Sequence, residues 1–143
     1  MRIPDWPVAR RRKPKTKVSS MKLAVILLSD PKNGEEALGR VFNGLALAAE
    51  AQAKGDEVEV VFQGAGTRWP TELTKLGHPA NALYNAVRPV VVGASCGCAA
   101  VFGSTDGVQA SGLPEIKDHA LAGTPGLASL RRYAAEGWTT LLF

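Results

Sequence analysis

The chain has 143 residues, of which 45% are hydrophobic and 21% are charged, a composition typical of one globular domain and not of a fibrous or disordered chain. Its formal net charge of +4 is unevenly distributed, because residues 1–20 carry seven basic side chains and one acid, a net +6 that leaves −2 for residues 21–143. Since phosphate contacts need clustered Lys and Arg, this balance argues against nucleic-acid binding by the folded domain.

The basic segment 1–20 is predicted to be a disordered extension in front of an α/β domain that spans residues 21–143. Its composition, basic with three prolines, buries too little apolar surface to offset the entropy of ordering. A targeting signal and a nucleic-acid tether are the alternatives. The apolar run at residues 23–28 is shorter than the roughly 7–15 residues of a secretory signal, so it is better explained as a core strand.

No stretch approaches the ~20 apolar residues of a membrane span, and we therefore expect no membrane association. The two cysteines, Cys96 and Cys98, lie two positions apart and cannot connect distant elements through a disulfide. A chain without a disulfide framework is typical of a reducing compartment, which predicts a cytoplasmic location.

Hydrophobic patterns predict alternating strands and helices. Short apolar runs with β-branched residues indicate buried strands, and apolar residues at spacings of three and four indicate helices. The first part of the chain is predicted to form a strand, a helix, a strand, two helical segments and a strand, at residues 22–29, 35–53, 57–62, 69 onward, 81–87 and 89–94. The second part is predicted to form two short helices, a short strand, a helix and a closing strand, at residues 98–102, 106–111, 119–122, 124–136 and 138–143.

This order of elements predicts an α/β fold, a single domain whose mainly parallel five-stranded sheet has helices on both faces. The spacing of the strands favours the flavodoxin-like strand order 2-1-3-4-5.

The most informative polar segment follows the third predicted strand. Ligands of open parallel sheets bind outside the carboxyl ends of the strands, and residues 29–34, 63–68 and 95–98 all fall there. Ser95 is expected to cap the short helix, which places Cys98 in its first turn, where backbone N–H groups favour a thiolate. The alternative is that the cysteine is a small buried apolar side chain.

Several short motifs are distributed over the domain: ALGRVFN at 37–43, GAGTRWP at 64–70, HP at 78–79, LYNAV at 83–87, GASCGCAAVFG at 93–103, GL at 126–127, GWT at 137–139 and the final Phe143. Together they resemble the DsrE/DsrF-like family of sulfur-relay proteins, also called YchN-like. The resemblance implies a DsrE-like fold and persulfide transfer, or thiol sensing, by a cysteine at the end of the third strand. It also implies a homo-oligomer, a trimer or a hexamer, and a sulfur-donor or sulfur-acceptor protein as partner.

The family's motif leaves two candidates for the active thiol. Its members carry a C-x-x-C pair that leads into Ala and Phe-Gly, and anchoring on Ala99 and residues 102–103 gives Cys98 the second position and Ser95 the first. Anchoring on the strand end instead matches Cys96 to the single sulfur-carrying cysteine of other members. The departure from C-x-x-C argues against two-cysteine redox chemistry.

The loop after the second strand supplies further candidate binding residues, Gly64, Gly66, Arg68 and Trp69. Charged and aromatic side chains beside a thiol suit an anionic persulfide. The GxG does not follow the first strand and lacks the G-x-G-x-x-G spacing, so we expect no dinucleotide. The first-strand loop lacks a phosphate cradle for FMN, and we expect no cofactor.

Two alternatives to sulfur transfer remain open. The same fold also serves as a non-enzymatic small-ligand or protein-interaction module, because fold does not fix function. The other alternative is a metal–thiolate site in which His78 and His119 join the two cysteines. Histidines at such positions are more often structural or solvated, so we expect no metal.

Overall fold

Five strands form one sheet in which every neighbouring pair is parallel. The computed structural model describes residues 20–143, so the predicted extension lies, but for its last residue, outside the described residues. The strands are β1 (Lys22–Leu27), β2 (Glu57–Phe62), β3 (Val91–Ser95), β4 (Glu115–Ile116) and β5 (Thr139–Leu142). The helices are α1 (Gly34–Ala53), α2 (Trp69–Leu73), α3 (Asn81–Val87), α4 (Cys96–Val101), α5 (Thr105–Ala110) and α6 (Leu130–Ala135).

The predicted parallel five-stranded α/β domain is confirmed, but the strand order is β4-β3-β2-β1-β5 and not 2-1-3-4-5. β2 lies between β1 and β3, and β1 lies between β2 and β5. The predicted order was wrong because β1 and β2 are both buried on their two faces, and such a pattern does not say which strands are neighbours.

The two faces of the sheet carry separate cores. Along β1, Leu23, Val25 and Leu27 face one core, and Ala24 and Ile26 face the other, as the alternation of a strand requires. The first core is covered by α1 to α5, and α6 covers the second. Helices on both faces were predicted, and this feature is confirmed.

The predicted element bounds agree best with the structure in long segments with a regular apolar spacing and in segments that turn residues delimit. The predictions for α1, α3 and β2 are confirmed to within a residue, whereas the helix predicted from residue 98 begins at Cys96. The strand predicted at residues 119–122 is wrong, since β4 lies at Glu115–Ile116 and His119 forms only an isolated antiparallel bridge with Leu127.

The helix predicted to begin at Thr124 instead begins at Leu130. The Thr124 hydroxyl accepts a hydrogen bond from the Gly126 N–H, which is a turn and not a helix start. Gly126 itself has a φ of 105°, outside the helical region. The Ser129 hydroxyl caps the real helix by accepting from the Arg132 N–H.

The carboxyl ends of β1, β2 and β3 bring three loops together, and we call this side of the sheet the carboxyl edge. Gly66 sets the spacing of two of these loops, because a Cβ built on it would lie 1.9 Å from the Leu27 carbonyl oxygen. Only glycine allows the loop after β2 to lie this close to β1. Among residues 20–143, no helix has the length and apolar character needed to cross a membrane.

Candidate functional site

Both thiols lie at the carboxyl edge, in the first turn of α4. Cys96 is the first residue of α4, directly after β3, and Cys98 is the third. Both cysteines are free and partly exposed. The predicted placement of Cys98 in the first helical turn after the third strand therefore agrees with the structure.

Ser95 does not cap α4 with its side chain, so that expectation was wrong. The residue is fully buried, and its hydroxyl accepts a hydrogen bond of 3.1 Å from the Ala128 N–H. Its hydroxyl thus holds the segment before α6 against the end of β3 and leaves the first-turn N–H groups of α4 without a serine cap.

Gly97, between the two cysteines, packs against the same segment. Its N–H donates to the Gly126 carbonyl at 2.7 Å, and an added Cβ would lie 2.6 Å from Leu127 Cδ2. The added Cβ would also lie 2.9 Å from the Gly126 carbonyl oxygen, a backbone atom, so position 97 favours glycine, and the segment before α6 forms a wall beside the thiols.

The two thiols do not face each other. Residues two apart in a helix are rotated by about 200° around its axis, so Cys96 and Cys98 lie on different sides of α4. Cys98 lies one turn before Phe102, whose N–H donates to the Cys98 carbonyl at 2.9 Å. A disulfide between the two cysteines would require α4 to unwind, so the structure holds two separate thiols.

A cavity of about 580 Å³ opens at the carboxyl edge between the loops after β1 and β2 and the connection from α4 to α5. Of the predicted site residues it contains Arg68 and Trp69; Gly64, Gly66, Ser95 and the cysteines do not line it. Its other lining residues are Pro31, Lys32, Gly34, Leu38, Thr71, Glu72, His78, Phe102, Gly103, Ser104 and Gly107.

Arg68 is fixed at the centre of this edge. Its Nη1 donates to Asp30 Oδ2 at 2.7 Å, and its Nε donates to the Phe102 carbonyl at 3.2 Å. The guanidinium also lies 5.3 Å from the centre of the Phe102 ring, a cation–π distance. These contacts join the loop after β1, the loop after β2 and the end of α4.

Trp69 forms the buried wall of the cavity. Its Nε1–H donates to the Ser29 hydroxyl at 3.2 Å, and its ring meets the His78 ring edge to face at 6.1 Å. Nearby, the hydroxyls of Thr67 and Ser104 lie 2.7 Å apart and connect the loop after β2 to the α4–α5 connection.

Sequence reasoning did not select Asp30, Phe102 or Ser104 as site residues. Asp30 belongs to the segment 29–34 at the ligand-binding edge but was not selected within it; it stands beside a proline and caps a turn by accepting from the Lys32 N–H. The available signal was its position, because it follows the carboxyl end of β1, where ligands of parallel sheets bind. Phe102 belonged to the motif at 93–103 but only as an anchor for the cysteines, and Ser104 carried no local signal, since its place depends on where α4 ends.

The metal–thiolate alternative finds no ligand set in the described part of the chain. Within residues 20–143, no three side chains of His, Cys, Asp or Glu cluster closely enough to hold a metal ion. His78 lines the cavity, where its Nδ1 accepts from the Ala80 N–H at 3.1 Å, and the backbone of His119 pairs with Leu127.

Comparison with known proteins finds sequence similarity to a protein whose function is not described. No family model matches the chain. An uncharacterized protein of Methanocaldococcus jannaschii is 24% identical over 118 residues, which cover 82% of this chain and 92% of that protein. No solved structure matches the chain.

Proposed function

We propose that the protein carries sulfur as a persulfide on Cys98, with Cys96 as the alternative carrier. The observation that carries this proposal is the position of Cys98. It is a free, partly exposed thiol in the first turn after a central parallel strand, at the edge where such sheets bind their ligands. The motif resemblance to sulfur-relay proteins supports the same assignment.

The proposed transfer is an exchange between thiol and persulfide. The Cys98 thiolate attacks the terminal sulfur of a donor persulfide, the S–S bond of the donor breaks, and the donor leaves as a thiolate with the bonding electrons. Cys98 then carries the terminal sulfur in a new S–S bond. Attack on that sulfur by an acceptor thiolate returns Cys98 to its starting state, so the cycle needs no external oxidant or reductant.

The surroundings of α4 suit an anionic persulfide. The charge of Arg68, which is held at the far end of α4 through the Phe102 carbonyl, is already paired with Asp30, so the support comes from the start of α4. The first-turn N–H group of Cys98 is not taken by the Ser95 side chain, and an N–H group at such a position favours a negative charge.

Alkylation with iodoacetamide tests the proposal. In the native protein we expect Cys98 to react faster than a free cysteine in an unfolded peptide, and Cys98→Ser to remove this fast reaction. Cys96→Ser is the matched control, because it removes the neighbouring thiol and leaves Cys98 in place. Peptide mapping by mass spectrometry assigns the modified residue.

The other two functions give different patterns in the same experiment. A metal–thiolate site predicts that both thiols are protected until a chelator is added. A structural role predicts that neither thiol reacts before the protein is unfolded in urea, and this result would remove the sulfur-carrier proposal.

A further inference from the structure

The cavity beside Arg68 has the size and position of a ligand site, although the thiols do not line it. Its volume of about 580 Å³ lies within the range of roughly 300–1,000 Å³ found for small-molecule pockets. It opens at the carboxyl edge, between loops that follow β1, β2 and β3. The role of this cavity therefore has to be inferred separately from the role of the thiols.

Three of the residues that line the cavity carry a hydrogen-bond donor that the described residues do not use. Arg68 is oriented by Asp30 and by the Phe102 carbonyl, and its Nη2 has no hydrogen-bond partner among residues 20–143. His78 accepts a hydrogen bond at Nδ1, so in the neutral ring Nε2 carries the hydrogen. Lys32 is exposed, and its ammonium forms no ion pair with the described residues.

The acids at this site already have partners. Asp30 is paired with Arg68 at 2.7 Å, and Glu72, which lines the cavity, is paired with Lys75 at 2.9 Å. Both carboxylates are thus balanced by a neighbouring cation, so Lys32 is the charged lining residue without an ion pair within residues 20–143. Glu35 and Asp106 also form no ion pair with the described residues, but they do not line the cavity. The lining therefore presents donors and one unpaired cation.

Part of the rest of the wall is apolar. Leu38, Pro31 and the rings of Trp69 and Phe102 line the cavity, and Phe102 is only half-buried. Thr71 and Ser104 add hydroxyls to the lining. The apolar part of the wall suits a compact apolar group.

We propose that this cavity binds a small amphipathic anion, a compact apolar body that carries one carboxylate or phosphate group. The anion lies against Lys32, Arg68 Nη2 and His78 Nε2, and the apolar body lies against Leu38 and Phe102. This site goes beyond the proposed sulfur transfer and does not depend on either cysteine.

Titration with phenyl phosphate and benzoate, followed in amide and indole NMR spectra of the full chain, tests the site. We expect saturable shifts at the Trp69 indole and at Gly103 and Gly107, with no shift at the Trp138 indole, which lies in the second core. Benzyl alcohol, which has the ring without the charge, is expected to bind more weakly than either anion. The preferred anion distinguishes a phosphate ligand from a carboxylate ligand.

Lys32→Gln removes the unpaired cation of the lining from an exposed position and is expected to weaken anion binding about fivefold. Lys54→Gln is the matched control, since Lys54 is exposed at the opposite end of α1, about 30 Å along the helix, and should leave binding unchanged. Thermal unfolding of both variants checks that the fold is intact.

The double variant Cys96→Ser, Cys98→Ser separates this inference from the proposed function, because it loses both thiols and should bind the anions as the wild type does. The inference is overturned if no saturable shift occurs at millimolar anion, if benzyl alcohol binds as well as the anions, or if Lys54→Gln weakens binding as much as Lys32→Gln.

Discussion

At the scale of single residues, the carboxyl edge depends on a glycine that admits no side chain. The Cβ of an alanine at position 66 would lie 1.9 Å from the backbone oxygen of Leu27, and a backbone atom cannot turn away as a flexible side chain can. Gly66→Ala should therefore destabilise the protein by about 3 kcal/mol or more, measured by urea unfolding.

Gly39 is the matched control for this substitution. It lies inside α1 with no atom within 4 Å of an added Cβ, so Gly39→Ala should stabilise the protein by about 0.5–1 kcal/mol through helix propensity. Equal effects of the two substitutions would show that the loop after β2 does not lie against β1 as described.

A buried phenol gives the domain a dependence on alkaline pH. Burial, the hydrogen bond to Glu59 and the charge of Glu59 raise the pKa of Tyr133 well above its ordinary value of 10.0. In the unfolded chain the phenol ionises near its ordinary pKa, while in the folded protein it stays protonated. Its contribution to stability is therefore present below pH 10 and is lost as the pH rises further.

Tyr133→Phe tests this contribution. The variant removes the ionisable group, so the fall in unfolding free energy above pH 10 should be smaller than in the wild type, as measured by urea unfolding near neutral pH and above pH 10. An unchanged slope would contradict the raised pKa of Tyr133.

At the scale of secondary-structure elements, Ser95 connects the end of β3 to the segment before α6. Ser95→Ala leaves the buried Ala128 N–H without its partner, which should cost about 1–3 kcal/mol. We expect faster hydrogen exchange at the Ala128 amide and unchanged exchange in β1. Uniform acceleration through the sheet would mean that Ser95 supports the whole fold and not this contact.

Elements set by local burial were predictable from sequence, whereas elements set by contacts of the segment before α6 with α4 were not. The apolar spacing of α1 and the β-branched residues of β2 reflect burial against the sheet, and this information is local to each segment. The Thr124-Pro125 pair has the residues of a helix start, but the contact of Gly126 with Gly97 holds the backbone in a turn. That contact joins residues 29 positions apart, which no local pattern records.

The candidate site was predictable in part for the same reason. The thiols, Arg68 and Trp69 follow the carboxyl ends of strands, so the sheet topology alone brings them to one edge. The separation of the thiols from the cavity could not be predicted, because it follows from α4 beginning at Cys96, which rotates the two cysteines to different sides of the helix.

At the scale of the whole molecule, β5 forms one edge of the sheet and β4 forms the other. Within the described residues β5 pairs only with β1, and Leu142 is 60% exposed. Leu28 and Phe143 line a neighbouring cavity of about 350 Å³. An exposed apolar edge strand favours pairing with another chain.

We expect the protein to form a homo-oligomer at micromolar concentration, and the motif resemblance implies a trimer or a hexamer. Light scattering should give a mass above that of one chain, and Leu142→Lys should lower it because a charge on the edge strand opposes pairing. Leu76→Lys, at an exposed site in the α2–α3 connection, is the control. A wild-type protein with the mass of one chain would contradict the expected assembly.

Intact mass after incubation with a low-molecular-weight persulfide donor shows whether a thiol at the end of β3 carries sulfur. We expect that the wild-type chain gains the mass of one sulfur atom, that dithiothreitol removes it, and that Cys98→Ser does not gain it while Cys96→Ser does. The reverse pattern would assign the role to Cys96. Loading that is absent from the folded wild-type protein, or that is equal in both variants and in urea-unfolded protein, would contradict the claim.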